Sequence, residues 1–147
     1  MSLAIFNPRF PSLFRDFDEF FKDFTVPRTF ETESGARAMV PPVDIVDLEK
    51  AVELRIDLPG LAPDDIDVRV DGNMLTVTAE RKNELAEVKT GVVRQERAFG
   101  KFTRSFNLPS TLDGAKPDAA YRHGVLTLTL PKKEEVQPKS LKIRVEA

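Results

Sequence analysis

Along most of residues 43–131, apolar and polar positions alternate. Val52, Leu54, Ile56 and Leu58 are separated by Glu53, Arg55 and Asp57, and Pro59-Gly60 stops the run. A period of two places the apolar side chains on one face of a β-strand and the charged ones on the other. Ile66, Val68 and Val70 repeat the pattern up to the turn signal Asp71-Gly72-Asn73, after which Leu75, Val77 and Ala79 take it up again. Phe102, Phe106 and Leu108 share a parity that ends at Pro109, and Leu126, Leu128 and Leu130 alternate with threonines until Pro131. Val43 to Leu48 is a weaker strand, and Lys82 to Thr90 is too charged to enter a core. Short strands at this spacing, without helical-period segments between them, predict an all-β fold over 43–131. The expected architecture is an antiparallel, immunoglobulin-like β-sandwich.

The two ends follow other patterns. In the first segment, 1–42, Leu13, Phe14, Phe17, Phe20, Phe21 and Phe24 fall on one face of a predicted α-helix, opposite Arg15, Asp16, Asp18, Glu19, Lys22 and Asp23. From Phe24 to Met39 no period is sustained, and the stretch reads as irregular. The last segment, 132–147, opens on Lys132-Lys133-Glu134-Glu135 and closes on Leu141, Ile143 and Val145, separated by Lys142 and Arg144. A lone strand of five residues is not stable in water. This tail is therefore expected to be extended and to dock on an exposed sheet edge through backbone hydrogen bonds and alternate side-chain pockets. The chain thus reads as a partly helical arm, a sandwich and an anchoring tail.

Composition sharpens the contrast. Phenylalanines stand at 6, 10, 14, 17, 20, 21, 24 and 30, so eight of the eleven lie in the first thirty residues. Burying one contributes roughly 1.5–3 kcal/mol. Phe6, Phe10, Phe14, Phe17, Phe20, Phe21, Phe24 and Phe30, with Leu13, must meet the domain's own core, each other, neighbouring subunits or a foreign apolar chain. A membrane-surface helix is disfavoured, because its polar face is more acidic than basic. The chain of 147 residues has 22 Lys+Arg against 24 Asp+Glu, which argues against bulk binding to nucleic acid. No apolar run approaches the ~18 residues of a membrane span, so stable membrane insertion is not expected. Without a basic start followed by an apolar stretch, a secretory signal is not expected either, and a cytoplasmic location is.

Candidate chemistry is sparse. With 0 Cys and 1 His, thiolate sites and paired-imidazole metal sites are excluded. Gly100-Lys101 is followed by Phe102, without the hydroxyl that a nucleotide-binding loop requires. The carboxylates Asp44, Asp47, Asp64, Asp65 and Asp67 do not have the spacing of a calcium loop and read as solvated strand edges and a turn. His123 precedes Gly124 in a turn, with no nucleophile or orienting acid suggested beside it. Arg104 shares parity with Phe102 and Phe106, so it either reaches solvent at the edge of the sheet or forms an ion pair across a subunit interface. Neither a catalytic site nor a cofactor is expected.

The stretch Ala119-Ala120-Tyr121-Arg122-His123-Gly124-Val125-Leu126 resembles the A-x-x-x-n-G-V-L signature of the small heat-shock protein family, the α-crystallin domain. His123 replaces the usual Asn, and both residues are enriched in left-handed turns. Asp57-Leu58-Pro59-Gly60 looks like the family's D-L-P-G turn. Gly100-Lys101-Phe102-Thr103-Arg104-Ser105-Phe106-Asn107-Leu108-Pro109 resembles its G-K-F-x-R-x-F-x-L-P strand, and the tail resembles its I-x-I/V anchor. The resemblance covers about Val43 to Val145 and is closest to bacterial and plant members.

The resemblance implies several roles. The polar stretch after Arg81 corresponds to the loop that carries a strand exchanged between dimer partners. Gly91 to Arg97 is the candidate for that strand, and Gly91, Val92, Val93, Arg94 and Arg104 are candidate dimer contacts. The anchor residues Leu141, Ile143 and Val145 would enter a groove between two edge strands, placed here at Val68 to Val70 and at Val125 to Leu130, with Leu126, Leu128 and Leu130 as lining. Both registers of the anchor, Leu141/Ile143 and Ile143/Val145, share parity and stay open. The implied function is that of an ATP-independent holdase. Its partners would be partly unfolded clients, further copies of itself as dimers in a larger oligomer, and ATP-driven refolding machines that receive the clients. The alternative is a static β-sandwich co-chaperone binding one folded partner. An enzyme lacks any recognisable site.

Overall fold

The computed structural model describes residues 29–31, 37–88 and 90–134. The predicted helix over Leu13 to Phe24 and the anchor at Leu141, Ile143 and Val145 lie outside the described residues.

Nine strands occur among the described residues: β1 (Thr29–Glu31), β2 (Arg37–Met39), β3 (Val43–Asp47), β4 (Ala51–Asp57), β5 (Ile66–Asp71), β6 (Met74–Arg81), β7 (Gly100–Asn107), β8 (Asp118–Arg122) and β9 (Val125–Pro131). They form one sheet in the order β1-β2-β7-β6-β5 and a second in the order β3-β4-β9-β8. All pairings are antiparallel except β2 with β7, which is parallel and registered at Met39 against Phe102.

The alternation explains which face closes the core. On β4 and β9, Val52 stands opposite Leu130, Leu54 opposite Leu128 and Ile56 opposite Leu126. On β6 and β7, Leu75 stands opposite Phe106 and Ala79 opposite Phe102. All ten are buried, and with Val77, Leu58, Leu108 and Leu112 they form one cluster between the sheets. The charged residues between them, such as Arg55 and Asp57, face solvent. Fully burying each large aliphatic side chain contributes roughly 1.5–3 kcal/mol, so this cluster holds the two sheets together.

Three findings depart from the sequence reading. The segment read as irregular contains β1 and β2, which pair Thr29–Glu31 with Arg37–Met39. Strands of three residues are too short to show a period of two, yet Ala38 on β2 is fully buried. β8 gave no strand signal, because Ala119 and Ala120 supply no contrast between faces. Lys132, read as the first residue of the tail, is built into the sandwich. It is 6% exposed, its Nζ lies 2.6 Å from Asp47 Oδ1 and donates to the Leu48 carbonyl at 2.7 Å, and its backbone bridges Leu112.

Candidate functional site

A sandwich of open sheets has ends, and the ends are where further strands can add. Among the described residues β1 and β5 end one sheet, and β3 and β8 end the other. Two contacts show which ends share a side. Arg104 on β7 donates to the Pro41 carbonyl at the entrance to β3, at 2.8 Å. On the opposite side Gly114, in the connection to β8, lies against Val70 of β5 and Leu108. The β5 and β8 edges therefore flank one side of the sandwich.

This arrangement corrects the expected groove. β9 is hydrogen-bonded on both sides, to β4 and to β8, so it has no free edge. Leu126, Leu128 and Leu130 are 3%, 0% and 0% exposed and belong to the core, where no incoming strand reaches them. The edge next to it on that sheet is β8, with Ala119 and Ala120 exposed and Tyr121 half-buried. Val68 and Val70 do lie on an edge, β5, where they and Ile66 are half-buried against the core. A hydropathy pattern locates a strand but not its neighbours, so it does not distinguish an edge strand from an inner one.

The motif residues hold one another. The Leu58 amide donates to the Gly124 carbonyl at 2.8 Å, and the Tyr121 hydroxyl donates to the Leu58 carbonyl at 2.7 Å, with the Leu61 carbonyl at 3.2 Å. A Cβ on Gly124 would stand 3.0 Å from Pro59 Cα, and Gly124 has φ 78°. Ala119, Gly124, Val125 and Leu126 thus form the β8–β9 turn and its flanks, fastened to the Asp57–Gly60 turn. His123 has φ 52°, the left-handed conformation that His tolerates. Arg122 Nε donates to His123 Nε2 at 3.0 Å.

Between β6 and β7 the chain runs out and back as a loop over 82–99. Asn83 caps a short 3-10 helix, Glu84–Glu87, by accepting from the Leu85 amide. Gln95 on the returning limb donates to the same Asn83 oxygen at 2.9 Å. Gly91, Val92, Val93 and Arg94 form no strand in the single chain. Val92 is 45% and Val93 101% exposed, and Leu85, Val88 and Phe99 are exposed as well. Arg94 pairs with Glu96 at 2.6 Å.

Arg104 is half-buried. Besides its bond to Pro41, its guanidinium lies over the Phe106 ring at 5.4 Å. Burial holds its pKa below the usual value for arginine, although the group stays charged at any physiological pH. No group of three or more His, Cys, Asp or Glu among the described residues is placed to hold a metal. Among them, too, no helix is long and apolar enough to cross a membrane.

A two-sheet sandwich with these edges and this loop defines the α-crystallin type of β-sandwich. A family model described as the Hsp20/alpha crystallin family matches residues 44–146, and the chain belongs to that family. It is 39% identical over 114 residues to spore protein SP21 of Stigmatella aurantiaca, covering 78% of this chain and 68% of that protein. It is 39% identical over 122 residues to a 17.8 kDa class II heat shock protein of Zea mays, covering 80% and 74%. The fold matches the crystal structure of a small heat-shock protein from Xylella fastidiosa at a TM-score of 0.61 and 35% identity, over 71% of this chain and 96% of that one. Small heat shock proteins are chaperones rather than enzymes, generally independent of ATP, and they form oligomers.

Proposed function

We propose that this chain is a holdase that captures partly unfolded proteins in the cytoplasm under heat or other stress and limits their aggregation until ATP-driven machines refold them. The observation that carries this reading is the placement of the phenylalanines. Among the described residues the sandwich closes its core with Val, Leu, Ile and two Phe, Phe102 and Phe106. The eight Phe of the first thirty residues, with Leu13, are accordingly assigned to clients and subunit contacts. Aromatic rings give large, shape-tolerant apolar contact, which suits a partner without fixed shape. Assembly multiplies weak contacts into avidity.

Assembly uses the ends of the sheets. The loop segment Gly91 to Arg97 has apolar residues but no ladder, and β3 of a second copy offers an edge that, among the described residues of one chain, has no partner strand on its outer side. Exchange of this segment between two copies, with Arg104 near the seam, supplies both needs. The tail residues Leu141, Ile143 and Val145 add to the β5 edge, with Val68 and Val70, and to the β8 edge. The oligomer is thus built from dimers joined by tails.

The test is aggregation of a heat-labile enzyme followed by light scattering, with equal mass of this protein and no ATP. Suppressed scattering is expected, and unchanged scattering refutes the holdase. Replacing Leu141, Ile143 and Val145 by Ala is expected to reduce the native mass in size-exclusion chromatography. An unchanged elution volume refutes the tail anchor.

A further inference from the structure

The described residues of the loop between β6 and β7 run mostly without regular structure beyond the 3-10 helix, and burial does not hold them in place. Its apolar side chains Leu85, Val88, Val92, Val93 and Phe99 are between 41% and 101% exposed. A cavity of about 210 Å³ separates it from the Gly60 turn and the end of β6. The bonds at Asn83 tie one limb of the loop to the other, not to the sandwich. Something at the root must set its direction.

Arg81 stands at that root. It is the last residue of β6 and faces Gly100, the first residue of β7, so the loop leaves and returns across it. Its guanidinium lies 4.7 Å over the ring of Phe102. Nη1 donates to the carbonyl of Ala98, on the returning limb, at 2.8 Å. Nη2 donates to the carbonyl of Pro59. Pro59 in turn abuts Gly124, and the adjacent Leu58 is bonded to Gly124 and Tyr121. This side chain hydrogen-bonds the returning limb to the Pro59 turn of the sandwich, where Arg97 of the same limb also packs, its guanidinium 3.1 Å from where a Cβ on Gly60 would stand. A planar guanidinium carries several donors in fixed directions and stacks on an aromatic face, which an ammonium on a flexible stem does not reproduce. Nε is buried without a hydrogen-bond partner, so the geometry serves the two outer nitrogens at a cost in desolvation.

We infer that Arg81 is a positioning residue, a pin that fixes the root of the 82–99 loop and so aims the Gly91 to Arg97 segment away from its own sheet. The pin concerns the loop in each copy. Its consequence for the dimer rests on the exchange reading above. With the pin in place the segment projects with Val93 outward, ready for another chain. Without it, the loop samples many directions, and docking on a partner must first overcome that entropy.

The test uses the full chain. A glutamate-specific protease is applied under native conditions, and cleavage after Glu84, Glu87 and Glu96 is timed by mass spectrometry for the parent, Arg81→Met and Arg81→Lys. Isotope-labelled and unlabelled chains are mixed to time subunit exchange. Loss of a charged hydrogen bond shifts a local opening equilibrium by roughly tenfold or more. Arg81→Met, which keeps an apolar stem for Phe102, is therefore expected to be cut in the loop about ten times faster. The rise should appear at a temperature where its circular dichroism matches the parent, with faster subunit exchange. Arg81→Lys is expected to fall between the two, as a partial rescue. Parent-like loop cleavage in a folded Arg81→Met overturns the pin. If Arg81→Met does not fold, Arg81→Lys decides: faster loop cleavage supports the pin, and a parent-like rate overturns it. Faster cleavage with unchanged exchange leaves the pin standing and removes the exchanged strand.

Discussion

The inner strands and the loop over 82–99 are built from similar residues and end in opposite states. On β4 and β9, Val and Leu alternate with polar residues, and the apolar set is sealed, with Leu54 and Leu128 at 0% exposure. In the loop, Val88, Val92 and Val93 are also apolar, yet all three are exposed. The difference lies in the partners. β4 and β9 have ladders on both sides and a second sheet across the core, so each apolar side chain leaves water when the ladder forms. The loop has neither in a single chain, and its valines remain apolar surface without a use within one copy. An exposed apolar segment with no ladder in its own chain is therefore where the proposed strand exchange can be tested, whereas apolar content alone marks nothing.

This comparison can be broken in three places. The largest effect is expected at Leu54→Ala, which leaves a cavity under the β4–β9 ladder and should lower unfolding free energy by about 2–5 kcal/mol in a denaturant titration. A loss as small as that of a surface change would mean that the β4–β9 face is not the core. Next is Gly124→Ala. Positive φ and the approach to Pro59 Cα oppose a Cβ there, and a cost of about 1–3 kcal/mol is expected, read as a lower thermal midpoint. The smallest effect on stability is expected at Val93→Asp, within about 0.5 kcal/mol, since the side chain is already in water. The same change should lower the native mass at a given concentration, because it sets a charge in the proposed dimer seam. If Val93→Asp destabilises the fold as Leu54→Ala does, the two regions are not distinct.

Much of the sandwich is legible in the sequence because a period of two is a local property. β4, β5, β6 and β9 each show it in their own residues, and the stops at Pro59-Gly60, Asp71-Gly72 and Pro131 bound them. The parts that escape are those set by distant contacts. β2 has three residues and is recognised by its seat beside β7. β8 has two consecutive alanines, and its place as an edge follows from the sheet order. The Arg104 bond to Pro41 joins residues 63 apart, and the Lys132 bond to Leu48 joins residues 84 apart. For Arg104 the parity with Phe102 and Phe106 leaves open an arginine reaching solvent at a sheet edge or an ion pair across an interface; β7 has strands on both sides, and the bond to Pro41 is to a backbone carbonyl, which no side-chain pattern announces. For Lys132 no signal exists in a run of charges.

The sequence by itself determined six of the strands, β3 to β7 and β9, their apolar faces, the concentration of phenylalanine in the first thirty residues and the motifs that connect the chain to its family. Each is a matter of spacing along the backbone. Only the tertiary structure decided which strands are edges, that Leu126, Leu128 and Leu130 belong to the core rather than to a groove, and that Arg81 joins the loop to the Pro59 turn. Edges and pins depend on which strand lies beside which, and that neighbour is chosen by hydrogen-bond ladders and packing between residues far apart in the chain.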